Sequence, residues 1–278
     1  MEKVSATRIE FKEERTKNEY WLILAAFRRL IDSLENSADS AGAWQVMEEI
    51  ISLRTASLYS RILEGLNMSF DHALSLLRNH NDFTSLRDKE ERDILVAAIE
   101  NLVEFAAAEE YAMMNEVMEQ PEIEESEDYE EVCEKYNLRY ADTENEQVLY
   151  VAGMAGWWMN QSVDTLITYM TQGDERVRDS HLALEGLTYR KSDFPSDLIP
   201  PIEWGCRCYL LSDSNESHVS ASLKNEYRKK VNPIFVESLS MKGRIFSDAH
   251  PYFTTTFYKN TRIQTIVQRL KDKLLCQK

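Results

Sequence analysis

Only one of six prolines, Pro121, precedes residue 195 in this 278-residue chain; Pro195, Pro200, Pro201, Pro233 and Pro251 all follow. Glycine is scarce as well, at eight residues. A stretch this long, with almost no ring to remove a backbone donor and little glycine entropy to interrupt the ladder, is permissive for long helices. Beyond residue 195 the chain must break into shorter pieces. The expected fold is a mainly α N-terminal region followed by a smaller α+β C-terminal module.

Apolar periodicity fills in the helical part. Residues 8–36 predict a first helix with Trp21, Leu24, Phe27, Ile31 and Leu34 on one stripe, and residues 41–66 a second with Trp44, Met47, Ile51, Leu58 and Ile62. Residues 70–79 read as a short helix capped by Ser69. In the fourth, 89–119, Asp88 and Glu91 have capping-box spacing, and Leu95, Ile99, Leu102, Phe105 and Ala106 supply the buried face. Such stripes serve packing. The run 147–171 is apolar, with Gly153 and Gly156 placed to let a helix or strand come close. Residues 187–189 and 207–211 read as short strands.

Charge divides the chain further. Of the net -16, residues 109–148 carry -13 and residues 1–108 carry -6, whereas residues 219–278 carry +8. The division read from this is a helical region 1–120, an acidic connector 121–146, a module 147–218 and a basic segment 219–278. Glu122 to Glu131 reads as solvated chain rather than core, and it lacks the ligand spacing and turn glycine of a calcium loop. The overall balance excludes a protein that coats nucleic acid with its whole surface. No apolar run approaches the ~18 residues of a membrane span. Met1-Glu2-Lys3-Val4 lacks the apolar core of a secretion signal, and four cysteines (133, 206, 208, 276) are too few for a disulfide scaffold.

Chemistry concentrates in residues 171–208. Asp174 is followed by Arg176-Val177-Arg178, then His181, then Gly186 in the position of a helix C-cap, then Pro200-Pro201 and Cys206-Arg207-Cys208. In this order the residues resemble the phage Mu F-like family, the head morphogenesis or minor capsid proteins of tailed phages. The resemblance covers about 40 residues. It implies a non-enzymatic virion protein with portal and capsid partners, located in the virion interior or, during assembly, in the host bacterial cytoplasm. It implies no cofactor.

Read as chemistry, Arg176 or Arg178 can pair bidentately with Asp174 or with a carboxylate elsewhere and pin a loop, and His181 can lie on one helical face with Arg178. Arg207 faces away from both flanking cysteines if the segment is extended. Such polar groups would knit a small irregular subdomain, and Arg176, His181 and Arg207 are the residues whose loss should matter most. Two readings compete. His181, Cys206 and Cys208 are three ligands that zinc accepts, with His218, Asp174 or Cys133 to complete the set and nothing to choose among them. Alternatively a cysteine could be a nucleophile with His181 as base and Arg207 lowering its pKa.

The basic segment carries Lys224, Arg228, Lys229, Lys230, Lys242, Arg244, Lys259, Arg262, Arg269, Lys271, Lys273 and Lys278. Its end, 261–275, predicts an amphipathic helix with Ile263, Ile266, Val267, Leu270 and Leu274 on one side. These charges can face the acidic connector, another protein, or packaged DNA. His250 with Lys242 and Arg244 leaves a second functional class open, an RNase-like or toxin enzyme.

Overall fold

The structure, a computed structural model, describes residues 2–35, 40–79, 82, 85–119, 126–212 and 231–276. Helices α1 (Glu2–Glu35), α2 (Ser40–Gly65), α3 (Phe70–Arg78) and α4 (Leu86–Glu119) come first. Helix α5 (Ser126–Glu134) runs through a π-helical stretch, Lys135–Tyr140, into α6 (Ala141–Met159). Strand β1 (Leu166–Met170), the one-turn helix α7 (Asp179–Leu182), β2 (Thr188–Arg190) and β3 (Tyr209–Ser212) follow. The chain ends in α8 (Thr255–Lys259) and α9 (Thr261–Leu274). This is the expected class: long helices first, a small antiparallel sheet later.

The chain forms two compact units. The first comprises Met1–Ser60, Leu102–Glu146 and Pro251–Lys278; the second comprises Arg61–Asn101 and Gln147–His250. The units therefore cut across the four segments drawn from composition. The acidic segment 121–146 belongs with the first unit, and the basic segment 219–278 is divided between both.

In the first unit, α1 buries Tyr20, Ile23, Leu24, Phe27 and Leu30, while Trp21 and Leu34 of the expected stripe are exposed. The two stripes share Leu24 and Phe27, so periodicity alone cannot choose between them. Packing against α5 chooses, and Arg28 at the edge of that contact pairs with Glu130 at 2.6 Å. The acidic segment is more than a connector: from residue 126 it is helical and buries Val132, Cys133 and Tyr136. Apolar residues spaced four apart still make a face when the intervening positions are acidic. Residues 120–125 lie outside the described residues. Helix α9 buries Ile263, Ile266, Val267 and Leu270, as its pattern predicts.

In the second unit, Ser69 caps α3 by accepting from the His72 N–H. The capping expected of Asp88 is done by Ser85, whose hydroxyl accepts from the Asp88 N–H at 3.1 Å. That starts α4 earlier than expected and leaves Glu91 to pair with His72 and Arg87. Gly65 explains the small residues of α6: a Cβ there would lie 2.5 Å from the Ala152 Cβ and 2.8 Å from the Gly153 nitrogen. The sheet has the order β2-β1-β3, with Ile167 opposite Tyr189 and Thr168 opposite Leu211. Central β1 is buried at Ile167, Thr168 and Tyr169, and Thr168 and Thr188 share a hydroxyl hydrogen bond of 2.8 Å. The unit's core gathers Trp158, Tyr189, Phe194, Ile202 and the pair Cys206 and Cys208 around this sheet.

Candidate functional site

The residues of the 171–208 motif form two groups near the end of β1 and the start of β3: an exposed Asp174–Arg207 pair and a buried cluster of His181, Cys206 and Cys208. Strand β1 ends at Met170, and Gly173, at φ +65°, turns the chain into the Asp174 loop. Asp174 accepts from its own loop, through the Arg176 N–H at 3.1 Å. Its main partner is Arg207, which holds both carboxylate oxygens, at 2.6 and 2.8 Å. That hydrogen bond, together with the guanidinium charge, holds the Asp174 carboxyl below the ordinary range. The expected partners Arg176 and Arg178 do not take this place. Arg178 is the extended residue before α7, so it shares no helical face with His181, and it donates to the Trp204 carbonyl at 2.9 Å. Pairing across 33 residues depends on where the loop before β3 returns, which spacing alone does not show.

Gly186 is not the cap of α7, which ends at Ala183. It lies in the left-handed region (φ +81°) at the turn into β2, and its N–H donates to the Tyr169 carbonyl at 2.8 Å. An L side chain is disfavoured at that φ, which is why glycine stands there. The Pro200–Pro201 bond is cis, and Gly205 (φ +63°) makes the turn that delivers Cys206, Arg207 and Cys208. There the alternation is as expected: Cys206 and Cys208 are buried, and Arg207 points outward to Asp174.

His181 is buried with the two cysteines. Its Nδ1 lies 3.3 Å from Cys208 Sγ and 3.7 Å from Cys206 Sγ. All three candidate ligand atoms fall within 4.8 Å of one another, and both cysteines are free thiols. Hydrogen bonding from Cys208, and then from His181, pushes the Cys206 thiol down to about 4, and Cys208 correspondingly upward. Two further groups frame the cluster. The Tyr150 hydroxyl donates to the Cys208 carbonyl. The Tyr169 hydroxyl is buried beside the thiols, and its pKa is raised first by burial and then by Cys206 and Cys208. The Gln172 amide donates to the Arg207 carbonyl at 3.0 Å. Of the suggested fourth ligands, Asp174 is held by Arg207, Cys133 belongs to the other compact unit, and His218 lies outside the described residues.

His250 is buried, against the rings of Trp204 and Phe246, and burial pushes its pKa down to about 4. Its proposed companions are engaged elsewhere: Lys242 with Asp93 at 2.7 Å and Arg244 with Asp248 at 2.9 Å. The three do not form an open acid/base set. In the first unit three cations of α9 face α2 and α4 rather than the acidic segment. Arg269 pairs with Glu48, Lys271 with Glu104, and Arg262 lies over the Trp44 ring. Lys224, Arg228, Lys229 and Lys230 lie outside the described residues.

One constellation escaped the sequence reading. Arg54, fully buried in the first unit, donates to Glu109 at 2.7 Å, Glu144 at 2.6 Å and Asn145 at 2.7 Å. Glu110 is buried beside them and raised to about 7, mainly by desolvation, against the opposing hydrogen bond of Asn137. A signal existed: Arg54 stands on the apolar stripe of α2 between Ile51 and Leu58, and Glu109-Glu110 interrupts an alanine-rich buried face.

What the second unit defines is a small α+β module in which a polar motif, rather than long regular elements, ties a one-turn helix to a three-stranded sheet. Residues 103–211 match the family of phage Mu protein F like proteins, so the chain carries a Mu F-like region. A Mu-like prophage F protein of Haemophilus influenzae is 42% identical over 57 residues, 20% of this chain and 14% of that protein. An uncharacterised protein of Methanocaldococcus jannaschii is 48% identical over 44 residues, 16% of this chain and 7% of that protein. The chain thus spans a small part of the length of these curated relatives. No solved structure matches it. No helix among the described residues is long and apolar enough to cross a membrane.

Proposed function

We propose that this chain is a minor head protein of a phage or prophage, acting by protein–protein binding in capsid assembly near the portal. The observation that carries the reading is the Mu F-like match over residues 103–211, which takes in the whole Asp174–Cys208 motif. The use of that motif supports it. Asp174, Arg178 and Arg207 are spent on fixing backbone and one another, which makes a rigid module, as a docking part requires. The exposed neighbours Trp21 and Leu22 on α1 put apolar area in solvent, where a partner can cover it. The chain works in the virion interior and in the host cytoplasm during assembly. Contact with DNA has less support, because Arg269 and Lys271 are paired with acidic side chains.

Co-expression with the portal and major capsid proteins of its own phage genome tests this reading. The expected result is co-elution of the portal protein with the captured chain, unchanged in His250→Ala. Absence of the chain from purified heads and from captured portal would overturn it. So would RNA cleavage by the purified chain that His250→Ala abolishes without lowering the melting temperature.

A further inference from the structure

The cluster formed by His181, Cys206 and Cys208 is used by no step of an assembly role, and its geometry asks for an occupant. Zinc takes Cys Sγ at ~2.3 Å and His nitrogen at ~2.0–2.1 Å, so adjacent sulfur and nitrogen ligands of a tetrahedral ion sit roughly 3.6 Å apart. The two distances from His181 Nδ1 to sulfur, 3.3 and 3.7 Å, straddle that value. All three side chains are already out of water, at 3%, 6% and 3% exposure, so a bound ion imposes little further desolvation on them. The thiols are not joined in a disulfide.

We propose that His181, Cys206 and Cys208 hold a structural zinc ion through Nδ1, Sγ and Sγ. The surroundings are those of a supported site. Arg207, between the two cysteines, is fixed outward by Asp174, which keeps both sulfurs on the inner face. Tyr150 anchors the Cys208 backbone. The fourth corner falls to Tyr169, whose buried hydroxyl lies beside the thiols; it closes the site directly or through one water. On binding, each cysteine gives its proton to solvent and ligates as thiolate, and His181 ligates as neutral imidazole.

The ion would join two pieces that little regular structure holds. His181 stands on a four-residue helix, and the cysteines precede a four-residue strand. Cross-linking residues 25 and 27 apart in sequence is how small modules with few long elements gain stability. The group of His72, Asp88 and Glu91, with its carboxylates half-buried, is the competing location among the described residues, but those carboxylates suit harder ions and Glu91 is already paired with Arg87.

The test is metal content of the untagged full chain, purified under reduction and dialysed against a mild chelator. About one zinc per chain is expected, unchanged in Cys276→Ser and reduced below ~0.2 in Cys208→Ser and in His181→Ala, given the tight binding of structural zinc. A one-to-one cobalt(II) adduct of the reduced apo protein should show the intense thiolate-to-cobalt charge-transfer absorption of tetrahedral sulfur ligation. That measurement needs no variant and decides the matter even if the substituted chains fail to fold. Wild-type protein with under ~0.2 zinc per chain and no cobalt–thiolate band overturns the proposal. So does full zinc content in a folded Cys208→Ser chain.

Discussion

The two compact units solve the same problem, fixing polar side chains in an apolar interior, in opposite ways. In the first unit long helices satisfy their own backbones, so buried polar groups are left to one another: Arg54 meets Glu109, Glu144 and Asn145, with Glu110 beside them. In the second unit the elements are short, and polar side chains hold backbone instead. Asn101 accepts from the N–H groups of Ile245 and Phe246 and donates to the Phe246 carbonyl; Arg178 and Gln172 hold the carbonyls of Trp204 and Arg207. Where secondary structure is long, a polar core residue acts as charge. Where it is short, the same residue types replace missing ladder bonds.

The largest expected effect breaks the charge side of that comparison. Arg54→Met strands two carboxylates that are buried from solvent, and removal of one partner of a buried pair costs about 3–5 kcal/mol. Urea denaturation should show that loss, and the triple change Arg54→Met, Glu109→Gln, Glu144→Gln should recover much of it. If the single change is neutral, the buried network does not hold the first unit and the contrast fails.

Next in size is an opposition in pH dependence. Glu110 titrates near 7 in the folded protein, above its ordinary 4.5, because burial and the Glu144 charge outweigh Asn137 and Arg54. The folded state therefore keeps a proton that the unfolded chain gives up. The stabilisation is complete below pH 4.5 and is lost as pH rises through 7, by about 3 kcal/mol at most. His250 runs the other way. Burial against Trp204 and Phe246 takes it from 6.5 to about 4, so its contribution is complete above pH 6.5 and is lost as pH falls through 4. Hydrogen exchange, corrected for intrinsic rates and read in residues 40–60 and 231–250, should show protection falling with rising pH in the first and falling with acid in the second. Glu110→Gln should weaken only the first trend, which buried Glu109, raised in the same direction, shares, and His250→Phe should weaken only the second. Parallel trends in both segments would remove the distinction.

The same contrast governs how much was legible in the sequence. Proline and glycine placement gave the long helices, because breakers act locally and their absence needs no partner to interpret. Which face of α1 is inside was not legible, since Tyr20 and Trp21 sit on stripes of equal merit and only the contact with α5 separates them. In the motif, the inward turn of Cys206 and Cys208 followed from a period of two, a local rule. The partner of Asp174 did not, because Arg207 reaches it only after a left-handed glycine, Gly205, has set the return of the chain. Arg54 was legible in principle, as a charge on an apolar stripe. The buried stripe of α2 is not apolar throughout.

The smallest effect separates two glycines of the second unit, one kept for space and one for backbone. At Gly65 an added Cβ meets the Ala152 Cβ at 2.5 Å, the Leu149 carbonyl at 2.7 Å and the Gly153 nitrogen at 2.8 Å. Two of these are backbone atoms that cannot swing aside, so Gly65→Ala must push α6 away, an overpacking cost of about 1–3 kcal/mol. At Gly173 nothing among the described residues lies within 4 Å of an added Cβ, but φ is +65°, where a side chain costs roughly 1–2 kcal/mol. Gly173→Asn should therefore be nearly neutral, since asparagine tolerates that conformation, whereas Gly65→Asn should be worse than Gly65→Ala. Thermal melts of the three variants distinguish the two roles. If asparagine is tolerated at both positions, the close approach of α2 to α6 at Gly65 is not what sets the residue there.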